Sequence, residues 1–294
     1  MLLDRYQKRV DDLLKEVRDT QTENIIKAGK LITDTIANGG GVFLSKVCHS
    51  IENDLIYRGG GPIFYKHFDF NLNVEQQGRE RENPYDQNME GLAAYAIRKS
   101  KLRPGDVLVV SSVSGRTASV VDLAYEAQKM GIHVIAFISM KYATQVDAVH
   151  SSGKKLYEMV DIVMDNCAPA AEGMMAVEGI EAAYAAASGI ASDYILWSMT
   201  SVAVEELMNK GITPGILKSA NYPGGNDYNK KIIEPNGELN AIQWEWIEQD
   251  NIARLSPSED SVDVSGSITI YFNETVDPKD LNDIENSTQE EAEG

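Results

Sequence analysis

The chain has little with which to cross-link itself or to bind a metal through a local motif. Only two cysteines, Cys48 and Cys167, and four histidines occur in 294 residues. Neither set shows disulfide-framework or metal-ligand spacing, so a stapled secreted scaffold is excluded and no metal is expected. The cysteine usage fits a reducing, cytoplasmic setting. No stretch approaches the about 18 consecutive apolar residues of a membrane span. Met1 to Val17 is charged and amphipathic, unlike an export leader. Basic residues are also scarce: 27 Lys and Arg face 45 Asp and Glu, a net charge of −18. That balance repels nucleic acids and anionic membrane surfaces. Much of it is local, because Pro257 to Gly294 holds eleven acids and one lysine.

What is present is ordinary globular material, with 43% hydrophobic and 24% charged residues. Apolar residues at helical spacing from Leu2 to Asn38, with Thr20 and Thr22 offering an N-cap midway, predict an N-terminal helical pair. Strand signals follow at GVFLSKVCHS (from Gly41), GPIFYKHF (from Gly61), VLVVSS (from Val107), HVIAFIS (from His133) and VDIVMDN (from Val160). Helical stretches separate them: IENDLIYR, ASVVDLAYEAQKM and KYATQVDAV. The Ala-rich run from Ala168 to Ala187 reads as loop mixed with helix, and Ile190 to Asn209 as a long apolar helix stopped by Gly211. Strands alternating with helices predict a three-layer, doubly wound α/β fold, about five parallel strands with helices on both faces. Residues 1–231 form that domain. Residues 232–294 form a C-terminal extension, with tryptophans in AIQWEWIEQDNIARL, a lone strand signal in SITIYFNE and an acidic tail.

In an open parallel sheet, ligands collect beyond the carboxyl ends of the strands. The loop Ser111–Thr117 offers the hydroxyls of Ser112, Ser114 and Thr117, with Gly115 and Arg116, between a buried strand and a helix start. Unpaired N–H groups and the positive end of the helix dipole favour an anion there. Helix capping would account for about one of the three hydroxyls. The loop lacks a P-loop lysine and the Gly-x-Gly-x-x-Gly spacing, so a nucleotide is not indicated.

SSVSGRT, with its strand and helix, resembles the Ser-x-Ser-Gly-x-Thr phosphosugar loop of the SIS (sugar isomerase) domain family. IYRGGG (from Ile56), RPGDVLVVSSVSGRT (from Arg103), HSSGKKLYEMVDIVMDNC (from His150) and SANYPGGNDYN (from Ser219) resemble, in order, signature stretches of a single-SIS-domain bacterial branch. The resemblance covers about residues 1 to 230. It implies an anionic sugar held by Ser112, Ser114, Thr117 and nearby amides, with Asn221 contributing an amide. It also implies assembly through helices into a homodimer or homotetramer with shared sites. One stretch departs from the branch. Its Gly-Thr-Gly-His-Ser-His loop after the first strand is here Leu44, Ser45, Lys46, Val47, Cys48, His49, so backbone approach to a ligand is harder. Ser45 and Lys46 then become the ligand-facing candidates, Lys46 as a point charge for the anion. An altered anion loop also suits a singly charged sulfonate, which keeps a sulfosugar isomerase open.

Aldose–ketose isomerisation needs a carboxylate to carry a proton between C1 and C2, and a polar partner at the oxygen. SIS isomerases use a glutamate and often a histidine. Glu75 and Glu90, with Glu80 and Glu82, occupy the polar stretch after the second strand, which also reads as a solvated loop. Asp54 falls where the branch has a glutamate in its first helix. His49 and His150 head the histidine candidates. The expected function is an aldose–ketose isomerase of a phosphorylated or sulfonated sugar, without organic cofactor. A sugar-phosphate-binding sensor without chemistry and a SIS-type lyase or deglycase are the alternatives.

Overall fold

A parallel sheet exposes two apolar faces, and the chain covers both with helices. The computed structural model describes residues 1–46, 51–56, 58–70 and 90–233. All lie in the first of two units into which the chain divides, Met1–Asn251. The extension signals from Trp244 onward, and Glu75, Glu80, Glu82, Cys48 and His49, lie outside the described residues.

Five parallel strands form the sheet: β1 (Val42–Leu44), β2 (Tyr65–His67), β3 (Val107–Ser111), β4 (His133–Ile138) and β5 (Ile162–Asp165), in the spatial order β2-β1-β3-β4-β5. This is the five-stranded α/β arrangement expected from the strand signals. β3 and β4 are almost wholly buried, which is why both read as continuous apolar runs. From β1 the chain steps outward to β2, whereas β3 leads the other way to β4 and β5. The direction reverses between β1 and β3, and open α/β sheets place their ligand crevice at such a switch point, beyond the carboxyl ends of the strands.

The helices are α1 (Leu2–Ala37), α2 (Leu92–Lys99), α3 (Ala118–Lys129), α4 (Met140–Ala143), α5 (Ser188–Asn209) and α6 (Gly225–Ile233). α1 and α5 pack along each other on one face, and α2 and α3 pair on the other. No helix among the described residues is long and apolar enough to cross a membrane.

Four local expectations are corrected. The helical pair is one 36-residue helix, α1. Thr20 and Thr22 do not cap a break, because their hydroxyls donate back to the carbonyls of Glu16 (2.8 Å) and Arg18 (2.6 Å) and leave the helix continuous. The Ala168–Ala187 run is not helical. It holds an antiparallel pair, β6 (Gly173–Met175) with β7 (Tyr184–Ala186), three residues each and too short to give a periodic signal. IENDLIYR contributes only a 3₁₀ turn, Ile51–Asp54, and KYATQVDAV is helical only in α4.

α1 and α5 approach most closely at Gly29. A Cβ built there would lie 2.5 Å from Val202 Cβ and 2.9 Å from the Met199 carbonyl oxygen. The Thr33 hydroxyl reaches the Ala203 carbonyl at 3.3 Å beside it. Gly29→Val is therefore expected to destabilise the protein by about 1–3 kcal/mol in urea unfolding, the usual cost of overpacking. Valine at Lys27, exposed on the same helix, is the control and is expected to change little.

Candidate functional site

The first wall of the crevice is the β3–α3 loop. Ser112 is buried and its hydroxyl lies 3.0 Å from that of Thr117, which stands exposed at the N-cap of α3. Thr117 makes no side-chain cap bond, so the first amides of α3 are not closed off by it. Gly115 turns the loop with φ +66°, its N–H donating to the Ser112 carbonyl at 2.8 Å and its carbonyl accepting from Leu156 N–H at 2.8 Å. A Cβ there would also press on Ala143 and Ile138, at 3.3 and 3.4 Å. Ser114 and Arg116 are half-exposed on the loop. Two paired hydroxyls, a third nearby, a guanidinium and an open helix end are a donor set suited to a tetrahedral anion.

The second wall follows β1. Ser45 N–H extends the ladder by donating to the Val109 carbonyl at 2.9 Å. Lys46 does not point an unpaired charge at the crevice; its ammonium pairs with Asp69 at 3.2 Å. Asp54 closes the 3₁₀ turn and is bound by the Arg58 guanidinium. That turn packs against α5, which brings up Asp193, a residue the sequence reading missed. Burial pushes the Asp193 carboxyl above its ordinary value, the charge of Asp54 adds to the rise, and Arg58 partly offsets it.

The segments quoted from residues 56–61 and 219–229 meet each other. Gly60 N–H donates to the Leu217 carbonyl at 2.7 Å, Leu217 N–H to the Gly61 carbonyl at 2.9 Å, and a Cβ on Gly59 would lie 2.7 Å from Ser219 N. Asn221 is exposed, and the amide that fastens this loop is Asn229, which clamps the Lys218 N–H and carbonyl at 2.8 Å each.

Glu90 and His150, far apart in sequence, come together on the α2–α3 side of the sheet. The buried His150 ring accepts the Ser152 N–H at Nδ1 (3.2 Å), with the Ser152 hydroxyl at 2.7 Å, so the ring proton belongs on Nε2. Nε2 lies 3.8 Å from Glu90 and 3.7 Å from Asp122. Glu90 accepts Ser151 N–H and Asp122 accepts Gly91 N–H, both at 2.9 Å. Asp122 was also missed. Asp193 stands alone in the apolar helical run IASDYILW, but Asp122 shares ASVVDLAYEA with Glu126, and neither pattern marks an acid as functional. No group of three His, Cys, Asp or Glu among the described residues is disposed to hold a metal ion. Cys167 is buried, and its thiol is pushed up to about 11, chiefly by burial, which keeps it unreactive.

A family model described as a SIS domain matches residues 5–139, a span that includes β1 to β4 and the Ser112 loop. A UPF0309 protein of Streptomyces coelicolor is 32% identical over 231 residues, covering 77% of this chain and 92% of the relative. A UPF0309 protein of Halalkalibacterium halodurans is 33% identical over 232 residues, covering 78% and 95%. Among solved structures, the phosphoheptose isomerase GmhA of Neisseria gonorrhoeae is 13% identical with a TM-score of 0.45, over 71% of this chain and 97% of that one. The NanR protein of Vibrio vulnificus, complexed with ManNAc-6P, is 16% identical with a TM-score of 0.42, over 79% and 67%. Those two structural likenesses are remote.

The Asp122 carboxylate serves both the Gly91 amide and the neighbourhood of His150. Asp122→Ala is expected to cost about 1–3 kcal/mol in urea unfolding through the donors left without an acceptor. It should also speed amide exchange at Gly91, where mass-spectrometric hydrogen exchange reads it.

Proposed function

We propose that this chain, which belongs to the UPF0309 family and carries a SIS domain, binds an anionic sugar and interconverts its aldose and ketose forms through a carboxylate base. The observation that carries the reading is the Ser112–Thr117 loop, with its paired hydroxyls at the open end of α3 beside the crevice between β1 and β3. Phosphate or sulfonate oxygens accept from the Ser112, Ser114 and Thr117 hydroxyls and from loop amides, with Arg116 adding charge at the rim.

The anion anchors the sugar so that its carbonyl end reaches across the crevice. There Asp54, held in its ion pair with Arg58, takes the proton from C2 and returns it to C1. Asp54 is preferred to Glu90 because Glu90 is engaged with the Ser151 amide and packed beside His150 on the other side of the sheet. No organic cofactor is needed, since the reaction moves protons within one molecule.

The altered stretch from Leu44, with the Lys46 charge taken by Asp69, favours a second reading in which the chain binds a sugar phosphate without converting it. The two readings share the loop and differ in turnover.

Thermal melting of wild type and Ser114→Ala against hexose phosphates, amino-sugar phosphates, sulfosugars and the parent neutral sugars tests the shared part, because a ligand of the folded state raises its melting temperature. One anionic class is expected to raise it, and the variant to bind that class about 10- to 100-fold more weakly, the worth of a charge-assisted hydrogen bond of about 1.5–3 kcal/mol. Equal shifts with the neutral sugars, or none at all, would remove the anion site.

A further inference from the structure

Two buried side-chain polar atoms among the described residues have no hydrogen-bond partner: Nε2 of His150 and Oδ1 of Asp193. The first is a ring N–H facing two carboxylates. The second has no such counterpart. A buried carboxylate oxygen without a donor is costly, and native structures seldom leave one without a use.

The position of Asp193 suggests the use. α5 runs alongside α1 in the same direction: Thr33 reaches Ala203, Lys30 lies 3.9 Å from Glu206, and Asp34 lies 3.3 Å from Lys210. α1 ends at Ala37, just before β1 begins at Val42, so both helices descend from the carboxyl edge of the sheet. Asp193 sits in the second turn of α5, at that edge. Its neighbour Ser192 is 3.4 Å from Asn166, the residue that follows β5. α5 packs there on the Ile51–Asp54 turn, and the charged groups that act on Asp193, Asp54 and Arg58, both come from the chain just after β1.

Two carboxyl groups thus lie on elements packed against each other, the Ile51–Asp54 turn and α5, in opposite settings. Asp54 is half-exposed and bound to a guanidinium. Asp193 is recessed, with one oxygen unpartnered. Environments that separate two carboxyls in this way divide acid from base.

We propose that Asp193 is the acid partner of Asp54, a carboxylic acid that touches the sugar's carbonyl oxygen; this rests on the isomerase reading above. Asp54 removes the proton from C2 while Asp193 gives its proton to the C1 oxygen, and the electron pair of the broken C–H bond becomes the C1–C2 double bond of an enediol. The Asp193 carboxylate then takes the proton of the C2 hydroxyl as Asp54 delivers its proton to C1. The ketose leaves with both carboxyls restored, and no oxidant or reductant enters.

Asp193→Asn provides two independent readouts. The first is melting temperature against pH. A carboxyl whose folded value stands above the ordinary 3.8 binds more protons in the native than in the unfolded chain. Its contribution to stability is therefore present at acid pH and lost as pH rises through the folded value. The amide removes that loss, so the variant is expected to melt at or above wild type at pH 7, with the gap closing toward pH 4. A variant that melts lower at both pH values would mean a paired structural carboxylate and would overturn the proposal whatever the sugar is.

The second readout is proton exchange with solvent. In deuterated water, NMR follows label entering C1 or C2 of a panel of aldose and ketose hexose 6-phosphates. Wild type is expected to exchange at least one of them. Asp193→Asn should keep the ligand-induced rise in melting temperature but exchange about 10²- to 10⁴-fold more slowly. Asp54→Asn should fall at least as far. Exchange at the wild-type rate in Asp193→Asn would overturn the role of Asp193 and leave the isomerase reading standing. No exchange in wild type, with sugar binding intact, would overturn the isomerase reading and this inference together.

Discussion

A sheet whose strands all run one way must have both faces covered, and each crossover must carry the chain back to the same starting edge. Everything else in this molecule depends on that constraint. It sends α1 and α5 to one face and α2 and α3 to the other, and it collects the loops after β1 and β3 at one edge. The winding reverses between those strands, the place where open α/β sheets hold their ligands. Strand order puts the loop with three hydroxyls after β3 and the turn with Asp54 after β1, on neighbouring strands, although about 60 residues separate them in sequence.

The same constraint sets what could be read in advance. Strands buried on both faces are apolar throughout, so β1, β3 and β4 were legible as runs, and β2 and β5, partly exposed, were legible from the apolar residues that flank or alternate in them; the Ser112 loop was legible from its position between a run and a helix. Less was visible where a residue has two uses. Thr20 and Thr22 are good caps and tolerable helix-interior residues, and only the back-bonds to Glu16 and Arg18 decide between them. β7 was hidden by its alanines, which fit helix and strand alike, and β6, Gly-Met-Met, is too short to show alternation. Asp122 and Asp193 were invisible as functional groups because burial, not residue type, makes an acid unusual. Glu90 and His150 were read as crevice residues; the fold does bring them together, on the side of the sheet that Asp122 occupies.

Charge is used locally in a chain whose overall balance repels anions. The net −18 works against binding phosphate at long range, but screening confines that effect to roughly 8 Å at physiological salt. The β3–α3 loop answers at short range with hydroxyls, an open helix end and Arg116. Lys46, the cation that sequence position nominated for the same task, is instead neutralised by Asp69. The proposed anion would thus be selected by oriented donors rather than by a positive surface.

The contact between Gly59 and Ser219 also bears on when the crevice can exist. The Arg58 that holds Asp54 is immediately followed by a stretch whose backbone bonds go to Gly215 and Leu217. About 160 residues must be made between those partners, which at bacterial elongation rates is on the order of 10–30 s. A nascent chain with β1 to β4 already out of the ribosome therefore carries a complete β3–α3 loop but an Asp54 turn without its anchor, and the two come into their final places only with the last part of the described domain to be synthesised.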